Sequence, residues 1–265
     1  MPHRAISTAR VGSPWSWAAG GLLAGVVAGL LMFAPASWLA QLIAQRTDGH
    51  VVLTQARGTI WNGSAQLVLA AGADSQIALA LPGRLIWKLR PAWGAVLAQV
   101  DAKCCTAEPL HLRITPRWGG ARLALADGNS QWPAAVLAGL GAPWNTVQLE
   151  GSLVLSSKTL SLEWTDGRLD ISGQAQLEAV GLSSRLSTLK PMGSYRMTLN
   201  GGATPTLKLE TLQGSLQLTG SGRWIGSRLR FNGVASAAPE REAALSNLLN
   251  ILGQRKGARS IITLG

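Results

Sequence analysis

Two adjacent cysteines, Cys104 and Cys105, are the residues of this chain whose type and spacing most invite chemistry, and no other cysteine accompanies them. Consecutive Cα atoms lie about 3.8 Å apart, below the ~4.4–6.8 Å usual for a disulfide, so a bond between neighbours needs an unusual turn. In an oxidising compartment three states stay open: a vicinal disulfide, two reduced structural thiols, or a pair with a redox or intermolecular role. A metal site is disfavoured, because adjacent thiolates lack the usual ligand spacing and no histidine cluster is present. Cys104 and Cys105 are therefore a candidate disulfide.

The sequence contains no recognisable catalytic motif. His111 and Arg113 share a strand face by parity, but that alternation is typical of solvent-side strand residues. Gly220, Gly222 and Gly226 do not have the spacing of a dinucleotide-binding fingerprint, and no nucleophile elbow, phosphate loop or metalloprotease helix occurs. We predict a protein that is not an enzyme, with no catalytic residue, no cofactor and no metal.

The N-terminal segment has the composition of a membrane anchor. Residues 11–45 contain no charged residue and no histidine, and the apolar run 15–34 is long enough, at helical rise, to span a hydrocarbon core of ~30 Å. Arg4 and Arg10 precede it without a nearby acidic residue, which predicts a cytoplasmic N-terminus and an exported remainder. A cleaved signal peptide is the alternative, because Ala34-Pro35-Ala36 suits a signal peptidase, although this apolar core exceeds the ~7–15 residues usual there.

Three glycines within this predicted span repeat at four-residue spacing. Gly21, Gly25 and Gly29 would lie on one face of a helix and would let the backbone of a second helix approach closely. The alternative is that glycine is simply common in membrane spans. We treat the three as a candidate helix-pairing face.

Composition limits the classes of partner and of fold. The chain has 24 Lys and Arg against 13 Asp and Glu, a formal net charge of +11, which suits an anionic membrane lipid surface or acidic partners. Nucleic acid is not expected, because export would separate the domain from it and the basic residues are scattered. A content of 31 glycines with 14% charged residues favours a mainly β fold over a helical bundle.

Period-two alternation is the clearest structural signal. In residues 168–178 the odd positions are apolar or small and the even positions are polar, and residues 215–224 alternate in the same way. Asp166-Gly167 and Asn200-Gly201-Gly202 supply tight turns between strands. We predict a curved antiparallel β-sheet with one wet face, which must form a half-barrel, a groove or a sandwich.

Two or three short helices accompany the predicted sheet. Residues 35–46 are predicted to form an amphipathic helix on the bilayer surface, residues 131–140 a helix with Ser130 as N-cap, and residues 238–252 a last helix over the sheet. The predicted organisation is a cytoplasmic tail (1–13), a transmembrane anchor (14–35), an interfacial connector (36–50) and a periplasmic β-rich domain (51–265), with two candidate halves at 51–129 and 145–265.

Five blocks of sequence carry a family resemblance: residues 58–63 (GTIWNG), 81–91 (LPGRLIWKLRP), 133–145 (PAAVLAGLGAPWN), 186–195 (LSTLKPMGSY) and 242–264 (EAALSNLLNILGQRKGARSIITL). With the single anchor, they resemble protein N of the bacterial type II secretion system, and the last block is the most specific. The resemblance implies a single-pass inner-membrane accessory protein of the secretion machinery with a periplasmic domain. Its expected partners are inner-membrane components of the secretion platform, with the secretin channel as a further candidate.

Two functional classes follow. In the first, the exported domain is an assembly module that pairs through its anchor and through exposed strand edges. In the second, the apolar face of the sheet binds lipid or another hydrophobic ligand.

Overall fold

The computed structural model describes residues 15–70, 78–140 and 144–265. Within them the chain forms four α-helices, two 3₁₀ helices and one large antiparallel sheet. The helices are α1 (Trp15–Phe33), α2 (Ala36–Arg46), α3 (Trp144–Val147) and α4 (Glu242–Leu252), with 3₁₀ helices at Ala134–Leu140 and Pro239–Arg241. The strands are β1 (Val51–Gly58), β2 (Asn62–Ala70), β3 (Ala78–Ala80), β4 (Leu85–Ala92), β5 (Ala95–Ala102), β6 (Leu110–Arg117), β7 (Gly120–Leu125), β8 (Gly128–Pro133), β9 (Leu149–Thr165), β10 (Arg168–Ser184), β11 (Gly193–Asn200), β12 (Thr206–Gly214), β13 (Leu216–Ile225), β14 (Arg228–Ala237), β15 (Gln254–Lys256) and β16 (Arg259–Leu264).

The sheet is an open meander in which most strands pair with their neighbours in sequence. Its order is β1-β2-β4-β5-β6-β7-β9-β10-β11-β12-β13-β14-β16-β15, with β3 paired to β2 and β8 paired to β9. The long strand β9 joins the two parts of the chain, because it pairs with β8 over one stretch, with β7 over the next, and with β10 along its length. The predicted mainly β, antiparallel fold is confirmed, and all sixteen strands belong to one sheet rather than to two separate ones.

Apolar side chains collect on one face, here called the inner face, which carries Leu53, Trp87, Ile171 and Leu216. The opposite, outer face carries polar residues such as Asp170. The alternation predicted for β10 is confirmed, since Ile171 is 4% exposed whereas Asp170 on the next position is exposed. The helices α2, α3, α4 and the 3₁₀ helix Ala134–Leu140 cover parts of the inner face.

Helix α2 covers the first strands. Its Ala36, Leu39 and Ile43 pack against Leu53 of β1 and Trp87 of β4. The amphipathic stripe that the sequence predicts for a bilayer surface therefore contacts the sheet, because the inner face of β1, β2 and β4 offers an apolar surface beside it.

The predicted helix at residues 131–140 is only half correct. Residues 128–133 form β8, which pairs with β9 from Gly128↔Ser157 to Pro133↔Ser152, and a 3₁₀ helix follows. Ser130 is not an N-cap: its hydroxyl accepts a hydrogen bond from Trp132 Nε1 at 2.8 Å. The edge of β9 supplies backbone partners that a helix at this position would leave unpaired.

Helix α1 forms over the predicted apolar segment, and its large side chains, including Leu22, Leu23 and Phe33, are exposed. In the part of the chain that the structure describes, no helix is both long enough and apolar enough to cross a membrane.

Candidate functional site

An apolar groove lies on the inner face of the sheet between α3 and α4. It has a volume of about 170 Å³, and no polar atom of the described residues reaches its surface. Strands β9 to β14 and β16 form its floor, and the two helices form its walls. Its lining consists of Trp144, Val147, Leu149, Leu182, Met192, Tyr195, Met197, Leu207, Leu209, Leu216, Leu218, Leu229, Phe231, Leu248, Leu252, Ile262 and Leu264. The described lining therefore offers an apolar surface that suits hydrocarbon.

Glycines on neighbouring strands make room for the aromatic part of the floor. The Phe231 ring lies over Gly220 of β13, where an added Cβ would collide with the ring, and an added Cβ at Gly222 or Gly233 would lie 3.0 Å from it. These positions carry the inner-face parity of their strands, so a larger residue at any of them would displace Phe231.

Helix α4 is held over the groove by buried leucines and by polar contacts near its ends. Leu245, Leu248 and Leu249 are fully buried. The Ser260 hydroxyl of β16 donates a hydrogen bond to the Leu249 carbonyl, and Arg255 of β15 donates to a Glu242 carboxylate oxygen at 2.7 Å. The wall formed by α4 is therefore tied directly to the edge of the sheet.

Tyr195 is the only side chain of the lining that has an ionisable group. Its hydroxyl donates to the Leu216 carbonyl at 3.0 Å, away from the groove. Burial raises the pKa of Tyr195 above its usual range, so the phenol stays neutral and its ring serves as an apolar wall.

The two edges of the sheet differ in how well they are protected. Strand β15 has only three residues, all exposed, and two of them are Arg255 and Lys256, a combination that discourages pairing with another strand. Strand β1 has eight residues and pairs, among the described strands, with β2 alone. A bulge after Thr54 breaks its ladder, and Arg84 donates to the Gln55 carbonyl there at 2.8 Å. Residues 51–54 are therefore the regular part of this edge.

The candidate disulfide lies in the turn after β5. The sulfur atoms of Cys104 and Cys105 are 2.04 Å apart, with Cys105 buried and Cys104 exposed. The Cys105 carbonyl accepts a hydrogen bond from the Gln131 amide at 2.8 Å. This turn and β8 border an open cavity of about 650 Å³, which is distinct from the apolar groove.

The other residues singled out from the sequence lie elsewhere. No atom of the described chain other than α1 itself comes within 4 Å of a Cβ built on Gly21, Gly25 or Gly29, so the helix-pairing face stays a prediction. His111 and Arg113 are exposed on the outer face, as parity predicts, beside a shallow cavity of about 400 Å³. Neither approaches the groove.

The sequence predicted a groove as one of three forms of the sheet but did not identify all the residues that line it. Tyr195 could have been found, because it continues the alternation of Met197 and Leu199 on β11. Helix α3 with Trp144 gave no periodic signal, since it has only four residues.

Comparison with known proteins gives one match. A family model described as type II secretion system, protein N, matches residues 49–262. No curated protein and no solved structure matches the chain.

Proposed function

Because the chain belongs to the family of type II secretion system protein N, we propose that it is a non-enzymatic accessory component of the secretion machinery at the inner membrane, where its sheet acts as an assembly module. Family membership links the chain to protein secretion. The observation that favours an assembly role is the open meander, whose β1 edge is longer and less charged than its β15 edge.

The proposed location rests on α1. Its Leu22, Leu23 and Phe33 side chains are exposed, and the charge-free stretch 11–45 surrounds it. We propose that this segment anchors the protein with residues 1–13 in the cytoplasm and the β-rich part, residues 51–265, in the periplasm. Reporter fusions after residues 13 and 265 of the full chain test this topology. The proposed topology would be contradicted if a reporter that works only in the cytoplasm were active when fused at the C-terminus.

The β1 edge is the surface proposed to add a partner strand. On the side away from β2, the Thr47 hydroxyl contacts the Val51 amide and carbonyl at 3.2 and 3.3 Å, so the Leu53 backbone is the part of residues 51–54 left to pair with a neighbouring protein by β-augmentation. The opposite edge, β15, serves as an internal reference, because its short length and its positive charges discourage pairing with another strand.

Site-directed photocrosslinking in cells tests this edge. A photoreactive residue at Thr54 should capture inner-membrane secretion components, whereas the same residue at Lys256 on β15 should capture fewer or none. Equal capture at the two positions, or none at Thr54, would contradict the assembly proposal.

A second candidate function is binding of lipid or another hydrophobic ligand, and the apolar lining of the groove favours it. Leu264→Arg would place a cation at the exposed end of the lining, where Leu264 is 57% exposed, and should lower the lipid that copurifies with the full chain. Leu212→Arg is the matched control, because Leu212 is 41% exposed but lies outside the lining. If both variants retain lipid as the parent does, the groove is not its binding site.

A further inference from the structure

Several tryptophans lie at one end of the sheet. Since the strands run as an antiparallel meander, the β1–β2, β4–β5, β6–β7, β9–β10 and β13–β14 hairpins all turn at the same end. We call this end the rim. Each of these hairpins has a tryptophan in its loop or within the last two residues of its first strand: Trp61, Trp93, Trp118, Trp164 and Trp224.

Two of the rim hairpins repeat one short motif. Pro91-Ala92-Trp93-Gly94 and Pro116-Arg117-Trp118-Gly119 both place Trp first and Gly second in a two-residue loop. The glycines have φ values of 64° and 77°, which only glycine adopts easily. Trp93 and Trp118 are 101% and 99% exposed. A large apolar side chain held at a loop tip without contacts within its own chain stabilises no part of the described fold, so its role lies outside it.

Arginines flank these loops. The residue pairs that close three of the hairpins are Arg117 with Gly120, Arg168 with Thr165, and Arg228 with Ile225. The three arginines are exposed. Tryptophan at the boundary between water and hydrocarbon, with long cations beside it that reach lipid phosphates, is the composition of a membrane interface.

The apolar helix α1 meets the sheet at this same end. The Ile60 amide of the β1–β2 loop donates a hydrogen bond to the Ala34 carbonyl at 2.9 Å, and Pro35 forms a β-bridge with Thr59. Phe33, the last residue of α1, is 78% exposed. A bilayer that holds α1 would therefore lie against the rim rather than against the opposite end of the sheet.

We propose that the rim docks on the surface of the inner membrane, with the Trp93 and Trp118 side chains in the interfacial layer and the flanking arginines on the phosphates of anionic phospholipids. This inference rests on the proposed membrane location of the protein. It makes the sheet stand on the bilayer with its meander strands directed away from the membrane and α4 at the far end.

The test uses the full chain in vesicles of phosphatidylethanolamine and phosphatidylglycerol, with a photoreactive amino acid at position 93, 118 or 212. Position 212 is the control, because Leu212 is an exposed apolar residue near the opposite end of β12. Mass spectrometry should find lipid adducts at 93 and 118 at several times the yield at 212. Yields at 93 and 118 no higher than at 212, or adducts with protein alone, would overturn the docking.

Two further readouts separate the possible failures. A chain that does not float with the vesicles would overturn the membrane location and the docking with it, whereas a chain that floats without rim adducts overturns the docking only. Replacing phosphatidylglycerol with phosphatidylcholine should reduce the adduct yield at 93 and 118. An unchanged adduct yield would contradict the proposed binding of the arginines to anionic phospholipids.

Discussion

At the scale of single residues, the side of the sheet on which Ile171 lies determines how a charge at this position would affect stability. Ile171 is paired with Leu162 of β9 and is almost fully buried on the inner face. Its neighbours on the same strand, two positions away, face the same way, whereas Gln174 is exposed on the outer face. A charge at position 171 would be buried without a partner, and a charge at 174 would remain in water.

Ile171→Asp should therefore lower the free energy of unfolding by roughly 3 kcal/mol or more, because the carboxylate would be buried among apolar groups. Gln174→Asp is the matched control and should change it by less than about 0.5 kcal/mol. Urea unfolding of the full chain in detergent, followed by tryptophan fluorescence, measures both. Equal stabilities of the two variants would show that the inner face is assigned wrongly.

Tyr195 makes the free energy of unfolding depend on pH in the alkaline range. Above about pH 10 the unfolded chain releases the phenolic proton, whereas the folded chain retains it because burial raises the pKa of Tyr195. The unfolded state is then favoured, so the stability should be unaffected below about pH 9 and should fall progressively as the pH rises above about 10. Tyr195→Phe should lower stability at neutral pH by about 1–2 kcal/mol, through loss of the bond to Leu216, and should reduce the alkaline slope. A slope identical to that of the parent would contradict this assignment.

The state of Cys104 and Cys105 is the third residue-scale prediction. We expect a vicinal disulfide in the chain isolated from exporting cells, because the proposed periplasmic location is oxidising and the sequence offers neither cysteine another partner within the chain. Alkylation without reduction should label neither cysteine, and alkylation after reduction should label both, which peptide mass spectrometry can read. Labelling of both cysteines before reduction would favour the structural thiols.

At the scale of elements, α1 is the one long helix of the described chain that makes few contacts with the rest. Gly25→Leu would add bulk in the middle of its small-residue face and should weaken association between helices several-fold without blocking insertion. Val27→Leu, on the opposite side of the helix, is the control. Energy transfer between labelled chains in vesicles measures the association. Equal energy transfer for the parent and for Gly25→Leu would contradict the predicted helix-pairing face.

Elements with a regular period could be predicted from the sequence, and short or irregular ones could not. Strands β10 and β13 have one wet face, so alternation locates them closely, and Asp166-Gly167 marks the turn between β9 and β10 through two positive φ values. Strand β5 escaped because its sequence, AVLAQVDA, is nearly continuous in apolar residues and has no clear period. Residues 131–133 of β8 were predicted as the start of a helix, because their partners in β9 lie about 20 residues or more further along the chain and a local pattern does not reveal them.

The groove likewise has parts that the sequence predicts and parts that it does not. Its floor comes from inner-face positions that alternation identifies, such as Leu207, Leu209 and Leu218. Its walls depend on where α3 and α4 return to the sheet, which is a matter of tertiary packing and not of local sequence.

At the scale of the whole molecule, the continuous sheet connects the two candidate halves, 51–129 and 145–265. Strands β7 and β9 pair from Gly120↔Thr165 to Ala124↔Ser161. Loss of β9 would expose the edge of β7 as well as that of β10 and so lower the stability of both halves.

Hydrogen exchange can test this coupling. Destabilising the second half by Ile171→Asp should lower amide protection in β6 and β7 of the first half as well, because they share the β7–β9 ladder. Amides of α1, which lie outside the sheet, serve as the internal control. Undiminished protection in β6 and β7 would show that the halves open independently, as two separate domains would.

The meander also bears on how the chain acquires its structure. Nearly every strand finds its partner in the segment that has just preceded it, so the entropy of closing long loops is largely avoided. If the N-terminal part of the chain is available first, each later hairpin can therefore add to the free edge of the growing sheet. Until β15 and β16 arrive, that edge is an unfinished template, and the short strand β15, with Arg255 and Lys256, then discourages the addition of a further strand.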